Sequence, residues 1–103
     1  MNRAFRIEQG GSGEFDYFSF YGTIDAAAEP RLKELPREVR RPVVKLDFSN
    51  TGRINSMGIA LLLRCLRSIK DGKNADIRLV NPNEMNTMLF KMTGMLLLAR
   101  LES

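Results

Sequence analysis

"VVKLDFSNTGRINSMGIALLLRCL", Val43 to Leu66, decides the fold. Its first half alternates. Val44, Leu46 and Phe48 share a face, and Val43 makes the run nearly continuous, which predicts a central strand over "RPVVKLDFSN". Its second half recurs at helical spacing. Ile59, Leu62, Leu63, Leu66 and Ile69 should face a core, so a helix is expected from Met57 to Lys70, with Gly72 placed to stop it. Ser56 stands at the join. The plain reading makes it an N-cap that accepts a hydrogen bond from the N–H of Gly58 or Ile59, worth roughly 1 kcal/mol. Gly58 is a poor first-turn residue, by about 1 kcal/mol against alanine. It makes sense where something approaches the backbone closely. Met57, Ala60, Leu61 and Arg64 form a second stripe, apart from the core stripe. That stripe reads either as a docking surface beside a modifiable hydroxyl or as a second core layer under a neighbouring loop.

Outward from this segment, strands and helices alternate. In "AFRIEQ" (4–9), Phe5 and Ile7 oppose Arg6 and Glu8. Gly10 to Gly13 should turn the chain, and "FDYFSFYG" (15–22) returns as a strand with Phe18 and Phe20 on one face and Tyr17, Ser19 and Tyr21 on the other. A helix follows. Asp25 caps it, Pro30 suits its first turn, Leu32, Leu35 and Val39 form its apolar stripe, and Pro36 ends or kinks it. "ADIRLVNP" is a fourth strand through Ile77 and Leu79. "NEMNTMLFKMTG" is a short helix closed by Gly94, with Met85, Leu89 and Met92 as its expected inner stripe. "MLLLARL" suits either an edge strand or a last helical turn. The order β-β-α-β-α-β-α-(β) predicts an α/β domain in which strands two to four run parallel with right-handed crossovers.

Composition narrows the function. The chain has 103 residues and 44% hydrophobic content, enough for one core, so residues 1–103 are read as a single domain. No apolar run reaches the length of a membrane span. The start, Met-Asn-Arg-Ala-Phe-Arg, lacks a signal peptide's apolar stretch, so a cytoplasmic location is expected. Cys65, the only cysteine, fits that expectation and excludes an internal disulfide framework. The absence of histidine removes a Ser-His-Asp triad, a Cys-His pair and His-containing zinc sites. "GGSG" (Gly10 to Gly13) lacks the lysine of a phosphate loop. An enzyme is therefore not expected, nor a cofactor or metal. The net charge of +4 is spread over Arg37, Arg40, Arg41, Arg64, Arg67 and Lys70, without the aromatic interleaving of a nucleic-acid surface. It reads as solvated faces with some attraction for acidic partners.

The segment Val43 to Leu66 resembles the centre of STAS domains, the anti-sigma-factor antagonist family. In that family an apolar strand ending in Asp leads through a short turn to Asp-Ser-(Ser/Thr)-Gly at a helix start. "YGTID" (Tyr21 to Asp25) resembles the family's Gly-Glu-Leu/Ile-Asp. "IRLVNPNEMNTMLFKMTGM" (Ile77 to Met95) resembles its penultimate strand, short helix and Gly-Leu ending. The resemblance implies a small mixed sheet of four to five strands packed with three to four helices. It further implies phosphorylation of Ser56 by a kinase partner, an anti-sigma-type protein of ATPase fold, with a phosphatase to reverse it. The unphosphorylated domain would bind that partner and the phosphorylated one would be released. Met57, Gly58, Ala60, Leu61 and Arg64 would form the contact face, rimmed by Asp25, Asn50, Thr51 and Asn55. The chain would act as a monomer or weak dimer. The alternative is a STAS-like subunit of a transport or other assembly, bound constitutively, in which Ser56 is only a cap. Three positions depart from the family: Asn55 for Asp, Met57 for a small Ser or Thr, and Thr23 for Glu.

Overall fold

The computed structural model describes residues 4–102. Residues 1–3 and 103, which belong to the single-domain reading and the reading of the chain start, lie outside the described residues. The chain runs β1 (Arg6–Gly11), β2 (Phe15–Ile24), α1 (Glu29–Glu38), β3 (Val43–Ile54), α2 (Ser56–Lys73), β4 (Asp76–Val80), α3 (Glu84–Met92) and β5 (Arg100–Glu102). Short 3-10 turns occupy Ala26–Ala28 and Met95–Leu97. Among the described residues the α/β architecture therefore has five strands and three helices.

The strands lie in sequence order, β1-β2-β3-β4-β5. β1 and β2 form the expected antiparallel hairpin, and every later pair is parallel. Right-handed crossovers between strands that advance in one direction place every helix on the same side of the sheet. Burial follows. Phe18 and Phe20, then Val44, Leu46 and Phe48, then Ile77 and Leu79 are all buried on that side. They meet Leu32 and Leu35 of α1, Leu62, Leu66 and Ile69 of α2, and Phe90 of α3 in one cluster. A row of aromatic rings threads it, with centroid separations of 5.9 Å (Phe5–Phe20), 4.9 Å (Phe20–Phe48) and 5.1 Å (Phe48–Phe90). These tilted and edge-on contacts suit the ring quadrupoles.

Among the described residues, the opposite side of the sheet carries no helix. It holds Tyr17, Lys45, Asp47, Arg78 and Glu102, joined in pairs: Tyr17 to Asp47, Lys45 to Glu102 at 3.1 Å, and Arg78 to both Glu102 (3.0 Å) and Asp76 (2.8 Å).

Several expectations need correction. β1 continues through Gly10 and Gly11, so the turn is confined to the residues after them, where the Ser12 N–H donates to the Phe15 carbonyl at 3.1 Å. Of the two alternatives for Pro36, ending α1 is ruled out, since the helix passes through it to Glu38. α2 runs past Gly72 and stops at Asn74, whose φ of 51° places it in the left-handed region and whose N–H reaches the Lys70 carbonyl. Asparagine tolerates that conformation better than most residues. The inner face of α3 is Asn86 and Phe90; Met85 and Met92, expected inside, are 67% and 74% exposed. Apolar residues on both sides of so short a helix left its periodicity open to either phase. "MLLLARL" resolves into both of its alternatives in turn, a 3-10 turn and then edge strand β5.

β3 is longer than its alternation suggested. Ser19 pairs with Asp47 but Tyr21 pairs with Asn50, and Gly22 pairs with Thr51 but Ile24 with Ile54. At each step β3 holds one more residue than β2, which is the signature of a β-bulge. The buried positions of β3 accordingly run 44, 46, 48, 51 and 54. Gly22, opposite this irregular stretch, has φ 84°, a conformation that favours glycine.

Candidate functional site

The bulged end of β3 delivers the chain to α2 at Asn55. Asn55 has extended backbone, and its Oδ1 accepts the Gly58 N–H at 2.8 Å. Its carbonyl accepts the Ile59 N–H at 2.9 Å, the first helical bond. Asn55, not Ser56, is thus the N-cap. Both residue types cap well, and one position of slippage exchanges them. Ser56 becomes the first helical residue and is exposed. Among the side-chain hydrogen bonds of the described residues, none uses its hydroxyl. Helix geometry also leaves the N–H groups of Ser56 and Met57 without intrahelical acceptors.

The end of β2 is fastened to the same place. The Asn55 N–H donates to the Ile24 carbonyl at 3.2 Å. A Cβ at Gly58 would lie 2.1 Å from that carbonyl oxygen and 2.8 Å from its carbon. The close approach that Gly58 permits is therefore made by this chain's own backbone. Asp25 follows Ile24, and its Oδ1 accepts the Ala27 N–H at 2.9 Å to cap the 3-10 turn. Asp25, Asn55 and Ser56 are gathered at one end of the sheet by these bonds.

The remaining expected contact residues divide by burial. Met57 (51% exposed), Ala60, Arg64 and Asn50 are on the surface. Thr51, Gly58 and Leu61 are buried and do not belong to an exposed face or rim. Thr51 points inward because of the bulge, and its hydroxyl donates to the Phe20 carbonyl at 3.3 Å. Gly58 lies under Ile24. Leu61 packs toward α1, lining a groove with Leu32, Pro36 and Cys65. The Arg64 guanidinium reaches Glu29 at 3.9 Å across that groove. The second-layer reading of the stripe holds for Leu61, and the exposed reading for Met57, Ala60 and Arg64. Burial pushes the Cys65 thiol up to about 12, only partly offset by Arg31, so the thiolate does not form near neutrality.

Asn86 was not foreseen. It is buried on α3, and its Nδ2 donates to the Gly52 carbonyl at 3.2 Å, tying α3 to the bulged end of β3. A polar residue one turn before Phe90 on the same face of a short helix gave no sequence signal, because its partner is a backbone carbonyl 34 positions away. Among the described residues no cluster of three or more His, Cys, Asp or Glu is arranged to hold a metal, and no helix is long and apolar enough to cross a membrane.

The sequence model of the STAS domain matches residues 12–102, nearly the whole chain. The protein belongs to the STAS domain family. Solved structures agree with this fold. The STAS domain here superimposes on an anti-sigma factor antagonist from Mycobacterium paratuberculosis with a TM-score of 0.77 at 19% identity, covering 95% of this chain and 85% of that one. The anti-sigma factor antagonist SpoIIAA in its unphosphorylated form gives 0.71 at 18% identity, over 97% of this chain and 89% of that one. Phosphorylated SpoIIAA, a Bacillus cell fate determinant, gives 0.65 at 16% identity, over 97% and 92%. A search of curated proteins by sequence finds no match. Within this STAS domain the Asn55 departure has a local meaning. Its Oδ1 makes the cap bond that an aspartate oxygen would make, so what the substitution removes is a charge and not the cap.

Proposed function

We propose that this STAS domain is a non-enzymatic partner-switching regulator, with Ser56 as its phospho-acceptor. The observation that carries the reading is the division of labour at the helix start. Asn55 makes the cap bond, so the exposed Ser56 hydroxyl has no structural duty to lose. SpoIIAA, with the same fold, has been solved in unphosphorylated and phosphorylated forms. A protein kinase of the ATPase fold would transfer the γ-phosphoryl group of ATP to Ser56 Oγ. The hydroxyl proton would pass to a base on the kinase, and ADP would leave. The phosphate would then lie at a helix N-terminus, near free N–H groups and the positive end of the dipole, so the domain stays folded. It adds about −1.5 to −2 charges beside Met57 and Ala60. A partner seated on those apolar side chains must then desolvate that charge, and it dissociates. A phosphatase resets the switch.

Intact mass after incubation with such a kinase and ATP tests the acceptor. One added phosphate is expected in the wild type and none in Ser56→Ala. Ser56→Ala should bind the unphosphorylated-state partner normally, while Ser56→Asp binds it at least about tenfold more weakly. Equal binding by Ser56→Asp would falsify the switch and favour a constitutive subunit.

A further inference from the structure

Five of the six large hydrophobic side chains exposed among the described residues lie between Met85 and Leu97. Met85, Met88 and Met92 are 67%, 58% and 74% exposed; Leu96 and Leu97, on the 3-10 turn that follows, line a separate groove with Lys70, Asp76 and Arg100. Scattered single apolar side chains need no explanation, but a contiguous stripe marks an interaction surface. Met88 and Met92 follow Met85 by three and seven positions, so they lie along one line of α3, well away from the buried Asn86 and Phe90. The helix thus has two apolar faces, and only one is used within the domain.

The charges beside this stripe indicate what covers it. Glu84 and Lys91 are seven positions apart, two helical turns, and so lie on one flank of the stripe at its two ends. Among the described residues neither enters an ion pair, and together with Pro82, Thr87 and Met88 they line a shallow groove. A two-fold axis perpendicular to a helix maps each flank onto itself while reversing direction. An axis passing between Thr87 and Met88 therefore sets Glu84 of one copy opposite Lys91 of the other, twice over, with the two Met88 side chains meeting near the axis. The flank is self-complementary, which is what an isologous interface requires. The antiparallel arrangement also opposes the two helix dipoles.

We infer that a second copy of this chain covers the Met85, Met88 and Met92 stripe, in a two-fold dimer built on antiparallel α3 helices. A standard interface takes about 800 Å² and some 20–30 residues from each side, and this surface is smaller. The dimer is accordingly weak and concentration-dependent. The inference is independent of phosphorylation, because α3 does not carry Ser56.

Sedimentation equilibrium of the full chain over a wide concentration range tests it, with circular dichroism to confirm that each variant is folded. A monomer–dimer equilibrium is expected. Met88→Glu should raise the dissociation constant about tenfold or more by placing like charges near the axis. Glu84→Lys and Lys91→Glu should each weaken the dimer, and the double variant carrying both should restore it. That rescue distinguishes the proposed pairing from general surface stickiness. A strictly monomeric protein at millimolar concentration overturns the inference. So does a dimer indifferent to Met88→Glu, or a double variant no tighter than its parents. Co-sedimentation of the monomer with anionic phosphatidylserine vesicles, lost in Met88→Glu, would assign the surface to a bilayer instead and equally overturn it.

Discussion

The two sides of the sheet are made by the same strands and held by different physics. On β3, Val44, Leu46 and Phe48 go under the helices, while Lys45 and Asp47 stand on the side without helices. The covered side draws its stability from apolar area removed from water, which is insensitive to pH and little affected by salt. The uncovered side is tied by ion pairs and hydrogen bonds that solvent weakens. Lys45, Arg78 and Glu102 retain 22%, 30% and 28% side-chain exposure, so their contacts orient the strands more than they stabilise them. One strand thus divides two tasks between its odd and even positions.

Substitutions on each side should separate these contributions. Phe48→Ala removes the central ring of the aromatic row and should destabilise the fold by about 3–5 kcal/mol, read from chemical denaturation. Gly58→Ala drives a methyl group into the Ile24 carbonyl and should cost about 1–3 kcal/mol or more, also by denaturation. An unchanged midpoint would show that the β2 end yields easily. At the helix start, Asn55→Ala should lose about 1 kcal/mol, whereas Ser56→Ala should stay within about 0.5 kcal/mol. The reverse order would return the cap to Ser56.

On the uncovered side, Tyr17→Phe should cost only about 0.5–1.5 kcal/mol. Its optical signature is clearer. The hydrogen bond to Asp47, with burial and the nearby carboxylate charge, pushes the Tyr17 phenol up to about 12. Because the folded value is raised, its contribution to stability is intact below pH 10 and is lost as pH rises through about 12. Spectrophotometric titration should find one tyrosine ionising late, and Tyr17→Phe should abolish that late step.

The smallest effect concerns the carboxylates. Hydrogen bonds from Arg78 hold Asp76 below the ordinary range, and those from Arg78 and Lys45 do the same for Glu102. Burial alone would raise Asp47, but the hydrogen bonds from Ser49 and Tyr17 outweigh it and leave it lowered. Folded values lowered in this way stabilise the protein above the unfolded carboxylate range, and that stability fades as pH falls through the folded values. Stability should therefore drop modestly on acidification. Arg78→Met should flatten that dependence, while Phe48→Ala should leave its slope unchanged.

The core strands and helices were legible because their apolar spacing has a single interpretation. Leu62, Leu66 and Ile69 fit only a helix, and Val44, Leu46 and Phe48 only a strand face. Legibility ended where a second element decides the outcome. The bulges in β3 exist relative to β2, so nothing in "SNTGRI" alone could turn Thr51 inward. Leu61 is buried because α1 crosses beside it, not because of its own periodicity. On α3, methionines outnumber the buried residues, and the hydrogen bond of Asn86 to Gly52 selects the inner face. At the helix start, the cap expected of Ser56 is made by its neighbour Asn55, because two good capping residues stand side by side and sequence alone does not choose between them.

Gly58 also bears on how this segment diverges between relatives. Its hydrogen is in effect a spacer between a helix and the carbonyl at the end of β2, a fit any chain with this packing must keep. Glycine at this position would thus persist under selection for folding alone, in switching and non-switching domains alike. Retention of Gly58 says nothing about signalling. The positions free to drift, and therefore able to record whether the switch is in use, are the exposed ones beside it: Ser56, Met57 and Ala60.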